Sequence, residues 1–210
     1  MKVELFDEWA KSYDRSIQDS EQKKTYPFYG YGLIQQYIYN ETANCKYSHI
    51  LEMGIGTGMM SKRLYDEGYK VTGVDFSKKM LEKAKSIMPN NTYFNTDFLS
   101  FISKLETEKY DVIIFSYSIH HLEPKKQEYL LNELGQHLSK KGIIIIGDVM
   151  TNTISDMLTL SKQNQRIWDD EEFYPINETY QNSLISKTYN IDYHQMTFCS
   201  GVMKLTKKEA

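Results

Sequence analysis

The sequence predicts an α/β protein built on a mostly parallel sheet with helices over both faces. Three observations carry this. Nearly continuous apolar runs, such as Ile143-Ile144-Ile145-Ile146, read as strands buried on both sides. Helical patterns alternate with these runs, as they do in parallel crossover units. Gly54, Gly56 and Gly58 follow the first run directly, at the kind of strand–helix turn where such sheets bind ligands.

The elements follow in order. In a leader of about 45 residues, Leu5, Phe6, Trp9, Ala10 and Tyr13 recur at helical spacing. Pro27, Gly30 and Gly32 interrupt the pattern, and a second helix is expected from Leu33 to Tyr39. The first strand is Ile50-Leu51-Glu52-Met53, and a short helix over Met59–Glu67 ends at Gly68. Lys70–Val74 is the second strand, with Ser77 capping a helix that carries Met80, Leu81, Ala84, Ile87 and Met88. Thr92–Asn95 is the third strand, before an amphipathic segment around Phe98–Leu105. Asp111–Phe115 is the fourth. Pro124 suits the first turn of a helix with the stripe Leu130, Leu131, Leu134 and Leu138. Lys141-Gly142 reads as the turn into the isoleucine strand. Thr153–Gln165 and Glu178–Ser186 read as helices. Tyr189–Phe198 and Val202–Leu205 then read as strands joined near Ser200-Gly201, too close for a crossover helix.

The 210 residues suit one domain with a substantial core, the leader (1–45) forming a cap on residues 46–210. Hydrophobic residues at 40% and charged residues at 25% are ordinary for a globular chain. A net charge of −3 gives no electrostatic reason to expect nucleic acid, and Lys78, Lys79, Lys83 and Lys85 read as a solvated helix face. Cys45 and Cys199 make no disulfide framework and indicate a reducing compartment. The opening residues lack the apolar core of a signal peptide, and no apolar run is long enough to cross a bilayer. A cytoplasmic protein with no membrane partner is expected.

The glycine loop narrows the ligand. A dinucleotide fingerprint wants glycine at 59, where this chain has Met59, and no Gly-Lys-Ser or Gly-Lys-Thr follows for a P-loop. Glu52, directly beside the loop, repels a pyrophosphate but suits an ammonium group. Asp75, 17 residues after Gly58, can accept both hydroxyls of a ribose. Asp97 follows the third strand and can accept an adenine amino group, while Phe76 and Phe98 can flank the base. Adenine, ribose and an amino acid end, without a demanding phosphate site, describe S-adenosyl-L-methionine.

From about Phe6 to Leu205 the chain resembles the class I S-adenosylmethionine-dependent methyltransferases. The resemblance rests on Glu52-Met53-Gly54-Ile55-Gly56-Thr57-Gly58, Gly73-Val74-Asp75-Phe76-Ser77, Asn95-Thr96-Asp97-Phe98 and the run Asp111 to Leu122. The leader, Glu172-Phe173-Tyr174-Pro175 and the chain's ending are similar to uncharacterised YrrT-like small-molecule methyltransferases. The resemblance implies a Rossmann-like, seven-stranded sheet of order 3-2-1-4-5-7-6 with a terminal antiparallel hairpin. It also implies that Gly54, Gly56 and Gly58 bound the methionine portion, Asp75 the ribose, and Asp97 with Phe98 the adenine. The Ser116 backbone would face the cofactor, Tyr13 would close over it, and Met80 would pack beneath the adenosine.

Transfer of a methyl group from a sulfonium to a small molecule is the expected activity. His120 and His121 follow the fourth strand, and His120 is the candidate base for an acceptor proton. Phe28, Tyr29 and Tyr31 would line the acceptor entrance. Metal ligation by the scattered histidines is not supported by their spacing. Two alternatives stand at this point: a binding protein that holds the cofactor without transfer, and a nucleotide-dependent oxidoreductase. Nucleic-acid methylation is disfavoured, because no Asn-Pro-Pro-Tyr-like run is present for an extruded base.

Overall fold

A seven-stranded sheet of order β3-β2-β1-β4-β5-β7-β6 organises the computed structural model, which describes residues 12–44 and 49–208. The stripe Leu5, Phe6, Trp9 and Ala10, like Cys45, lies outside the described residues. In chain order the elements begin with helices α1 (Tyr13–Lys23) and α2 (Tyr31–Asn44). Next come β1 (His49–Met53), α3 (Lys62–Asp66), β2 (Lys70–Asp75), α4 (Lys78–Ile87), β3 (Thr92–Asn95) and α5 (Phe98–Ile102). Then β4 (Tyr110–Ser116) leads through a 3-10 turn (Ile119–His121) to α6 (Pro124–Gln136) and β5 (Leu138–Val149). The end comprises α7 (Ile154–Gln163), α8 (Asn177–Gln181), α9 (Ile185–Thr188), β6 (Tyr189–Gln195) and β7 (Ser200–Lys207).

The pairs β1–β2, β2–β3, β1–β4 and β4–β5 are parallel, while β7 runs antiparallel to both β5 and β6. The strand order implied by the resemblance is therefore observed, hairpin included. Alternation along the strands splits the core. Val112 and Ile114 pack with Ile34, Ile38, Leu64 and Ala84 on one face; Ile113 and Phe115 pack with Phe101, Leu130 and Leu134 on the other. The strand order reverses between β1 and β4, and that is where a parallel sheet opens a crevice.

Several boundaries differ from the sequence expectation, each for a physical reason. Gly32 does not break α2 but lies in its first turn, because Glu21 Oε1 accepts the N–H groups of Gly30 (2.6 Å) and Gly32 (3.4 Å). The helix expected from Met59 begins only at Lys62, since the turns of the glycine loop continue past Gly58. Lys141-Gly142 is no turn: β5 starts at Leu138, and the extra residues form an irregularity where pairing shifts from Tyr110↔Leu138 to Val112↔Ile143. Thr153 and Asp156 form a reciprocal capping box that starts α7. The segment expected as one helix over Glu178–Ser186 divides into α8 and α9. Ser200 and Gly201 are paired with Val149 and Asp148, so the hairpin turns at residues 196–199 instead. No helix among the described residues is long and apolar enough to cross a membrane.

Candidate functional site

The glycine loop leaves β1 under tension between tight curvature and close packing. Gly54 has φ +82°, donates to the Val74 carbonyl at 2.8 Å, and lies so close to Ser118 that an added Cβ would stand 2.4 Å from that residue's Cβ. Gly56, at φ +53°, faces open space, and a Cβ there would meet nothing within 4 Å. Gly58 instead packs the loop on α4, its missing Cβ corresponding to a point 2.6 Å from Met88 Cε. Asp75, at the end of β2, spans the loop's far side: Oδ2 accepts from Gly56 N at 2.9 Å and Oδ1 from Ser77 N at 2.8 Å. A carboxylate has about four acceptor positions, which suits it to a pair of neighbouring hydroxyls.

These elements wall a crevice partly open to solvent. Tyr13, Gly54, Gly56, Asp75, Phe76, Met80, Phe98 and Ser116, each expected from sequence to contact a cofactor, line it. Tyr117, Ser118 and His121 line it too, and sequence reasoning did not single out the first two. Helix α1 caps the loop: Thr57 Oγ1 donates to Asp14 Oδ1 at 2.8 Å, and Lys83 Nζ lies 3.7 Å from Asp14 Oδ2. Tyr13 is thereby held edge-on to Phe28, with ring centroids 5.5 Å apart, and burial raises its phenol pKa well above the usual value.

Four predicted residues stand outside this lining, the candidate base His120 among them. Gly58 has the packing role described above. Asp97 caps α5, accepting from Ser100 N at 2.9 Å, and hydrogen bonds from the Ser100 side chain and backbone hold its pKa below the ordinary range. Glu52 is buried and accepts a hydrogen bond from the Ser61 hydroxyl. Burial pushes its pKa up to about 8; Ser61 pulls the other way and Asp75 adds to the rise.

Glu52 therefore makes stability depend on pH. Between the usual carboxyl range near 4.5 and about 8, the unfolded chain is ionised here while the folded chain keeps its proton. Folding stability contributed below pH 4.5 is lost as pH rises toward 8. Glu52→Gln is expected to reduce the loss between pH 5 and pH 8, seen by urea unfolding, by on the order of 3 kcal/mol. Parallel pH profiles for the two proteins would contradict this.

The other wall is polar and aromatic. Tyr117 adopts φ +51°, which is uncommon for a residue with a side chain, and its ring stacks on Tyr31 at 5.4 Å. The buried hydroxyls of Ser116 and Tyr117 have no hydrogen-bond partner among the described residues. His120 Nδ1 lies 2.7 Å from Asp148 Oδ1, and His120 Nε2 lies 3.5 Å from Glu172 Oε1. Burial opposes charge on His120, but Asp148 and then Glu172 outweigh it and raise its pKa. His121, which reaches the crevice, is held well below its ordinary pKa by burial and by His120. Behind them Tyr26, Trp168 and Tyr174 pack together, with Tyr26 stacked on Trp168 at 5.4 Å.

Asp148 and Glu172 were missed as site residues. Asp148 carries a readable signal, a charged residue within the apolar run Ile143–Val149. Glu172 sits in an acidic cluster whose ordinary composition hides its one inward member.

The residues fit an adenosyl amino acid: a carboxylate beside a glycine cradle, two aromatic rings, and buried hydroxyls awaiting partners. Residues 50–142 match the methyltransferase domain family. An uncharacterised methyltransferase of Oceanobacillus iheyensis is 28% identical over 208 residues, covering 92% of each chain. Another, from Alkaliphilus oremlandii, is 34% identical over 147 residues, covering 70% of this chain and 67% of its own. Among solved structures, the DhpI–SAH complex superposes with a TM-score of 0.71 at 12% identity, covering 98% of this chain and 94% of the other. The fold is thus that of a class I methyltransferase. The chain belongs to the S-adenosylmethionine-dependent methyltransferase family, which sets aside the oxidoreductase alternative.

Proposed function

We propose that this chain transfers the methyl group of S-adenosyl-L-methionine to a small-molecule acceptor in the cytoplasm. The observation that carries the assignment is the crevice at the β1–β4 reversal, where Gly56 and Asp75 face the same space as Tyr13 and Phe98. Gly54 and Gly56 bound the methionine portion, with Gly58 holding the loop's shape. Asp75 takes the ribose hydroxyls, Phe76 and Phe98 flank the base over Met80, and Asp97 serves the adenine edge. Ser116 contributes from the floor and Glu52 supports the loop through Ser61. Bound S-adenosylmethionine supplies an electrophilic methyl group on its sulfonium.

The protein's own part is alignment and exclusion of water. Tyr13 closes the crevice from α1, and Phe28 and Tyr31 wall the side toward Tyr117. Asp148 Oδ1, 2.7 Å from His120 Nδ1, fixes the orientation of that ring, and Nε2 is the nitrogen left to take a proton. In this reading His120, next to the crevice-lining His121, takes the acceptor proton.

Release of S-adenosylhomocysteine against hydroxyl, thiol and amine acceptors tests the proposal. Acceptor-dependent release is expected. His120→Ala should lower it by roughly 100-fold or more, while affinity for S-adenosylmethionine changes less than about threefold. Cofactor binding without turnover across all three acceptor classes would instead describe a binding protein, the alternative the sequence left open.

A further inference from the structure

The cluster beside the crevice has the donor set of a metal centre. His120, His121 and Glu172 each present one ligand atom, and these atoms lie within 4.8 Å of one another. Glu172 Oε1 is 3.5 Å from His120 Nε2 and 4.0 Å from His121 Nδ1. Three donors at about 2.0–2.2 Å from a tetrahedral cation stand roughly 3.3 Å apart. The His120–Glu172 separation is nearly there, the His121–Glu172 one needs a shift of less than about 1 Å, and the two imidazole nitrogens, within 4.8 Å, must close by no more than about 1.5 Å.

The surroundings fit as well. The Asp148 carboxylate is completely buried, and it contacts His120 through Oδ1. This is the carboxylate–histidine arrangement that orients a metal-binding imidazole. Its Oδ2 has no hydrogen-bond partner among the described residues. Glu172 is oriented in turn by the Tyr174 hydroxyl, which donates to Oε2. Hydrogen bonds hold the Glu172 loop against the histidines: Phe173 N donates to the His120 carbonyl at 2.8 Å, and the Gln127 side-chain Nε2 donates to the Phe173 carbonyl at 2.8 Å. Among the described residues no lysine or arginine forms an ion pair with Asp148 or Glu172, so the site holds two carboxylates without a fixed cation.

We propose that His120 Nε2, His121 Nδ1 and Glu172 Oε1 bind one divalent transition-metal ion, with Zn2+ as the best-matched probe. Two imidazoles and a carboxylate suit zinc and leave a fourth position open, whereas Mg2+ and Ca2+ take oxygen ligands. Metal binding stands on this geometry alone; the role that follows rests on the methyl-transfer proposal. Because His121 lines the crevice, the open position lies toward the acceptor. An acceptor O–H or S–H bound there loses its proton to solvent. Its heteroatom then bonds to the methyl carbon as the carbon–sulfur bond breaks and that electron pair returns to sulfur. In the loaded protein the cation does what the free His120 nitrogen does without it.

Chelator-treated full chain titrated with Co2+, followed by visible absorption, and then displaced by Zn2+ tests the site. One equivalent per chain is expected, with Zn2+ binding at micromolar or tighter Kd. Glu172→Gln and His121→Ala should each weaken binding by about 100-fold, and Asp148→Asn by about 10- to 100-fold. Thermal melting of the metal-free variants and their titration with S-adenosylmethionine check folding and the cofactor pocket separately. Stoichiometric binding that survives in Glu172→Gln and His121→Ala would overturn the site, as would no binding by a wild-type protein that still binds cofactor.

Discussion

Replacing Asp75 with alanine is expected to weaken S-adenosylmethionine binding by roughly 100-fold or more, read by calorimetric titration. Hydrogen bonds to a charged acceptor contribute about 1.5–3 kcal/mol each, and two ribose hydroxyls converge on this carboxylate in the proposed mode. The loss is larger than the contacts alone, because Asp75 also accepts from Gly56 N and Ser77 N. Removing it releases the glycine loop and the start of α4 together. Asp75→Asn keeps the size and one acceptor oxygen, so it should lie between wild type and alanine. Equal affinity in all three proteins, each with an unchanged melting profile, would remove Asp75 from the pocket.

Gly54→Ala should produce the largest combined loss. At φ +82° a side chain is strained whatever the space, and here there is none: the new Cβ would stand 2.4 Å from Ser118 Cβ and 3.3 Å from Phe98 Cζ. Backbone strain of about 1–3 kcal/mol adds to overpacking of about 1–3 kcal/mol. Ser118 cannot simply turn aside, since its hydroxyl donates to the Met53 carbonyl at 2.7 Å and ties the loop after β4 to the end of β1. Urea unfolding should show the midpoint falling, with cofactor affinity falling at the same time. Gly56→Ala is the useful contrast. Its Cβ meets no protein atom within 4 Å, so binding should suffer more than packing there. Equal stability of Gly54→Ala and wild type would contradict this account of the loop.

Much of this was legible from residues. The alternation of apolar runs with helical stripes predicted the sheet, and Ser77 capped its helix as expected, accepting from Met80 N at 3.2 Å. The strand-end carboxylate Asp75 and the glycine loop located the crevice. What stayed hidden depended on contacts between distant segments. Nothing local in Gly30-Tyr31-Gly32 reveals that Glu21, from the preceding helix, caps α2 there. Lys141-Gly142 looks like a turn in isolation, but the sheet absorbs it in an irregularity between Leu138 and Ile143. The histidine–carboxylate cluster joins residues 120, 148 and 172, and no spacing rule links positions so far apart. Of the adjacent pair the sequence singles out His120 as the base, whereas it is His121 that lines the crevice. The 3-10 turn aims one at Asp148 and lets the other reach the crevice.

Calorimetric titration of the purified chain with S-adenosylmethionine, compared with S-adenosylhomocysteine and NADH, tests the central claim most directly. Saturable binding of both adenosyl ligands at one site per chain is expected, and none of NADH. Folded protein that binds neither adenosyl ligand, or that binds NADH instead, would contradict it.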